Sequence, residues 1–85
     1  MEKYYVYILK SDGIKNPYYI GQTNNLEERV NRHKNNRNEY TKNKGNWELV
    51  ISVELATRLE AIQLEHRLKK MKNSRKAIEY LEKMV

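Results

Sequence analysis

Apolar positions come in short bursts along the chain, and the period of the bursts changes from two to between three and four. Tyr4, Tyr5, Val6, Tyr7, Ile8 and Leu9 form an unbroken run, so Glu2–Lys10 reads as a strand. Tyr5, Tyr7 and Leu9 share one face, and Tyr4, Val6 and Ile8 share the other. Both faces are apolar, which predicts a central strand covered on both sides. Ser11–Pro17 carries Gly13, Asn16 and Pro17 and reads as a turn. Tyr18–Gln22 then returns as a second, antiparallel strand. A helix follows from Asn24 or Asn25, each with a glutamate three residues on, at capping-box spacing. Leu26 and Val30 form its narrow apolar stripe, and Lys34-Asn35-Asn36 is its exit.

Arg37–Asn46 is the longest loop, polar and basic. Trp47–Glu54 is the third strand, with Leu49, Ile51 and Val53 expected on one face and Trp47 as a core plug. Thr57-Arg58-Leu59-Glu60 is a second capping box. It opens a helix to about Lys72 in which Ala61, Leu64, Leu68 and Met71 fall on one arc. Asn73-Ser74 caps a last helix, Arg75 to about Lys83, with Ala77, Ile78, Leu81 and Met84 on its apolar side. The order ββαβαα predicts a three-stranded antiparallel sheet flanked by helices, an α+β sandwich. At 85 residues it is read as one domain, 1–85.

Composition narrows the function. Charged residues are 33% of the chain and mean hydropathy is -1.00. No apolar run is long enough to span a bilayer, so no membrane partner is expected. The absence of cysteine excludes a disulfide scaffold and a cysteine-ligated zinc site, and fits the reducing cytoplasm in which we expect the protein. Seventeen Lys and Arg against eleven Asp and Glu leave a net charge of +6, an excess that favours a polyanionic partner.

The candidate chemistry lies in the stretch from Tyr18 to His33. Tyr19 sits on the second strand, and Arg29 and His33 are four residues apart on one helix face. A phenol, a guanidinium and an imidazole within reach of one point suit phosphate chemistry. The hairpin carries five of the seven tyrosines and no Phe or Trp, where a plain core would use Phe, Leu or Val. Glu65 falls among Ala61, Ile62, Leu64 and Leu68 on the buried half of its helix. A carboxylate there is costly unless paired, with Arg29 or Lys69, or bound to a cation. Tyr40, Lys42 and Lys44 in the long loop, with Arg32, suit contact with a sugar-phosphate backbone.

Tyr19-Ile20-Gly21 resembles the second signature of the GIY-YIG nucleases. Tyr5-Val6-Tyr7 resembles the first, with Gly-Ile replaced by Tyr-Val and the tyrosine kept. Arg29, His33 and Glu65 stand in order where that family has its arginine, histidine and metal-binding glutamate. The resemblance runs from Tyr4 to about Leu81. It implies a DNA endonuclease domain with Tyr7 as general base, helped by Tyr19 or His33. Arg29 is implied to hold the scissile phosphate, and Glu65 to bind one divalent cation, magnesium or manganese. Gln22 stands where the DNA-repair incision members have lysine. A free phenol titrates near 10, so either tyrosine needs a cation or Arg29 to work at neutral pH, while an imidazole is better matched. The expected partner is DNA, with branched and single-stranded forms both open, and a partner protein is one source of specificity. Two other readings compete: a non-catalytic nucleic-acid-binding module of the same fold, and a structural or partner-binding protein whose basic surface is incidental.

Overall fold

A computed structural model describes residues 3–13, 17–35 and 45–85. Tyr40, Lys42 and Lys44 lie outside the described residues. The elements are β1 (Tyr4–Ser11), β2 (Tyr18–Thr23), α1 (Leu26–Lys34), β3 (Trp47–Leu55), α2 (Arg58–Lys70) and α3 (Ser74–Glu82). The order ββαβαα and the α+β class are those expected from the sequence.

All strand pairings are antiparallel, and the sheet order is β2-β1-β3. The doubly apolar β1 is therefore central. Its Val6 and Ile8 face α2 and α3, in a core with Val53, Ala61, Leu64, Leu68, Ala77 and Leu81. Its Tyr7 and Leu9 face the other way, onto Trp47, Tyr19 and the Leu26 and Val30 stripe of α1. The sheet is thus filled from both sides, and each buried large aliphatic side chain contributes roughly 1.5–3 kcal/mol.

Helices α1, α2 and α3 start on side-chain caps. Asn25 accepts from the Glu28 backbone N–H at 3.1 Å, Thr57 from that of Glu60 at 3.2 Å, and Asn73 from that of Lys76 at 3.1 Å. The Thr57 hydroxyl also donates to the Glu60 carboxylate at 2.9 Å. Of the two asparagines that could open α1, Asn25 does so. Thr23 decides it, because its hydroxyl oxygen accepts from the Asn25 N–H.

One expectation is corrected. Leu49 does not share a face with Ile51 and Val53. The register slips by one residue, from Ile8 opposite Ile51 to Leu9 opposite Leu49. A bulge of this kind flips every side chain beyond it. Leu49 becomes 41% exposed, and Trp47 turns to the α1 face of the sheet.

Lys72 follows α2 with φ of 51°. This is the left-handed exit usual for glycine, and a Cβ there costs about 1 kcal/mol. Lys72→Gly is therefore expected to stabilise the fold by about 0.5–1 kcal/mol, seen as a raised urea midpoint at unchanged slope.

Candidate active site

The site begins with a missing side chain. Tyr7 lies opposite Gly21 in the β1–β2 ladder. A Cβ at position 21 would sit 2.6 Å from the Tyr7 Oη and 2.8 Å from its Cζ. The phenol of Tyr7 thus occupies the space a side chain on β2 would take. It reaches over the edge strand of the sheet. Tyr19, two residues before Gly21, closes the near side at 6.2 Å between ring centroids. Gly21→Ala is expected to expel the phenol and to cost about 1–3 kcal/mol by overpacking. Urea unfolding reads the stability, and displaced imidazole resonances of His33 report the moved ring.

Helix α1 supplies the other wall. Leu26 and Val30 seat it on the sheet, and the next turn carries His33 inward. His33 is fully buried. Its Nε2 lies 3.1 Å from the Tyr7 Oη, and its ring centroid 4.6 Å from that of Tyr19. Trp47, turned inward by the bulge, packs edge-on against Tyr19 at 6.5 Å. The imidazole is enclosed by three aromatic rings.

This enclosure sets the protonation states. Burial pushes the Tyr7 phenol well above its ordinary value, and Tyr19 adds to the effect. The charge of Arg29 and its hydrogen bond to the phenol oppose it, and Glu65 raises it slightly further. Burial, and then the Arg29 charge, pushes His33 down to about 4. At neutral pH the pair is a protonated phenol and a neutral imidazole. In the Nδ1–H tautomer, the phenol donates to Nε2.

Arg29 and Glu65 come from opposite layers. Arg29, half-buried on α1, hydrogen-bonds the phenol. Glu65 is on α2, behind the other face of the sheet, yet its charge is felt at the same phenol. The two layers meet beyond β2, where Tyr7 crosses over Gly21. The Glu65 side chain is 17% exposed, and its partner is Lys69 at 3.8 Å, one helical turn on. Lys69 is one of the two alternative ion-pair partners that the sequence offers; among the described residues the other, Arg29, forms no ion pair with it. Among the described residues no three His, Cys, Asp or Glu side chains cluster. A single, largely desolvated carboxylate is chemically suited to a hard cation that keeps most of its waters, as magnesium does. The residues present fit such an ion.

Arg32 is exposed and borders a surface hollow with Glu27, Glu28 and Asn31, apart from this cluster. Sequence reasoning passed over Gly21 as a space-maker. It also passed over Arg58, which lines a cleft beside Arg29. A signal for Arg58 existed: it is the first residue of a helix, where the dipole favours acids.

The GIY-YIG catalytic domain family matches residues 3–78. The chain belongs to this family, a family of nucleases. Among its relatives are small bacterial proteins. The UPF0213 protein OB0043 of Oceanobacillus iheyensis is 35% identical over 71 residues, covering 82% of this chain and 80% of that protein. The UPF0213 protein YazA of Bacillus subtilis is 32% identical over 80 residues, covering 93% and 78%. No helix among the described residues is long and apolar enough to cross a membrane.

Proposed function

We propose that this protein is a divalent-metal-dependent endonuclease that hydrolyses DNA phosphodiester bonds, in repair, recombination or mobile-element processing. The observation that carries the reading is the buried hydrogen bond between Tyr7 and His33, beside Arg29 and within the field of Glu65.

Arg29 offers its planar fork to two oxygens of the scissile phosphate. The water that attacks phosphorus gives its proton to the Tyr7 oxygen as the Tyr7 proton passes to His33 Nε2. Neither group does this readily alone: the phenol is too weak an acid and the imidazole too weak a base. A bound phosphate changes the balance, because its negative charge offsets the Arg29 charge that helps to hold His33 neutral. The imidazole then becomes a stronger acceptor, although burial, the larger cause, still holds it below its ordinary value. Tyr19 fixes the imidazole by packing against its ring. Glu65 would hold the metal ion, which when bound draws negative charge from the phosphate and the leaving oxygen. Arg32, with Tyr40, Lys42 and Lys44, contacts the flanking sugar-phosphate backbone. These contacts read no bases, so sequence or structure preference comes from DNA shape or from a partner protein.

Supercoiled plasmid incubated with protein and magnesium or manganese is expected to give nicked circles, and EDTA to prevent them. Duplex, flap and single-stranded oligonucleotides then rank the substrates. DNA binding without nicking under either metal on any of these substrates overturns the reading in favour of a non-catalytic nucleic-acid-binding module.

A further inference from the structure

Beside the candidate active site is a second, smaller hollow. It holds about 100 Å³ and is lined by Tyr4, Gln22, Thr23, Asn24, Arg29 and Arg58. The volume leaves room for a phosphate group. Two arginines border it, and among the described residues no carboxylate does. Among the described residues neither arginine has an acidic partner, since the ion pairs are Lys3–Glu54 and Lys69–Glu65. Like charges around a small cleft repel, and an anion between them relieves this.

Arg58 is also misplaced for helix stability. It stands at the first position of α2, after the Thr57 cap, where the positive end of the helix dipole disfavours a cation. A cation at such a place is stabilised by an anion in reach of both the side chain and the helix end. Arg29 borders the cleft and also hydrogen-bonds the Tyr7 phenol. A group in the cleft is therefore one guanidinium away from a group held against Tyr7. Gln22 contributes an amide whose N–H bonds suit a phosphate oxygen.

The geometry points to a second phosphate subsite between Arg29 and Arg58, which holds the backbone phosphate next to the one being cut. This deepens the endonuclease reading and rests on it for the word "next". Arg58 is then a substrate-binding residue that sets how the strand threads past Tyr7.

The test separates anion binding from cleavage. Binding of a short single-stranded oligonucleotide is measured by fluorescence anisotropy across a salt series, for wild type, Arg58→Ala, Arg58→Lys and a control, Lys83→Ala. Arg58→Ala is expected to weaken binding about tenfold and to lower the salt slope by about one; Arg58→Lys recovers part of this. A scan of single methylphosphonates along the oligonucleotide is then run. In wild type, one neutral linkage beside the scissile position matches the loss seen in Arg58→Ala, and it adds nothing in that variant. Circular dichroism melts confirm that the variants fold. Titration of inorganic phosphate is expected to shift the Arg58 Nε–H and Gln22 side-chain amide resonances. The subsite is overturned if Arg58→Ala behaves as Lys83→Ala does, or if no flanking linkage couples to Arg58. Absence of nicking by wild type alongside these couplings sinks the endonuclease reading and leaves the subsite standing.

Discussion

Glu65→Ala is expected to lose metal-dependent nicking by about a thousandfold, roughly 4 kcal/mol of transition-state stabilisation, while the protein stays folded. The carboxylate is largely withdrawn from water and its Lys69 partner is 3.8 Å away and half-exposed. Its removal therefore costs little packing and relieves a desolvation penalty, so melting in the absence of metal is expected to change by less than about 1 kcal/mol. Wild type is expected to melt higher as magnesium is added, by linkage, and Glu65→Ala is not. Cleavage that survives in Glu65→Ala, or a magnesium-dependent melt that persists, removes Glu65 from the role proposed for it. Arg29→Ala serves as the complementary case. It is expected to lose nicking to a similar extent but to keep the magnesium-dependent melt.

The second large effect is on pH. His33 titrates at about 4 in the folded protein against an ordinary value near 6.5. Between these values the unfolded chain binds more protons, so stability is full above pH 6.5 and is lost as pH falls towards 4. The loss is on the order of 3 kcal/mol. Tyr7 acts at the other end. Its folded value is raised, so its contribution is present below the unfolded value near 10 and is lost as pH rises beyond it. Urea midpoints measured from pH 4 to 11 are expected to trace a plateau with both shoulders. Tyr7→Phe removes the alkaline shoulder, and His33→Gln the acid one. A flat profile for wild type below pH 6.5 contradicts the enclosure of His33. Activity is expected to be level with pH from 7 to about 9, because the relay uses a protonated phenol and a neutral imidazole and both are already in place at pH 7. Tyr7→Phe is expected to lose activity across this whole range.

The residues that make the fold legible are those with local causes. The doubly apolar run Tyr4–Leu9 gave the central strand because period-two alternation acts residue by residue. Asn25, Thr57 and Asn73 gave the helix starts because a cap needs only its own next turn. Leu49 shows where this ends. Its face is decided by a one-residue slip against β1, and pairing between strands leaves no trace in local periodicity. The site divides in the same way. Arg29 and His33 are related by helix spacing, which the sequence displays. The enclosure of His33 by Tyr7, Tyr19 and Trp47 depends on a bulge and on helix docking, which it does not. Glu65 looked like a buried carboxylate, but the route by which its charge reaches Tyr7 requires the two layers to meet beyond β2.

That meeting has a consequence for how the protein is made. A ribosome releases Tyr7, Tyr19, Arg29 and His33 well before Glu65. On the function proposed above, the emerging chain holds a grip for nucleic acid and no place for the ion until α2 is out and has docked behind the sheet. On that function, a truncated or stalled product that ends before Glu65 lacks the carboxylate for the ion and is born disarmed toward DNA.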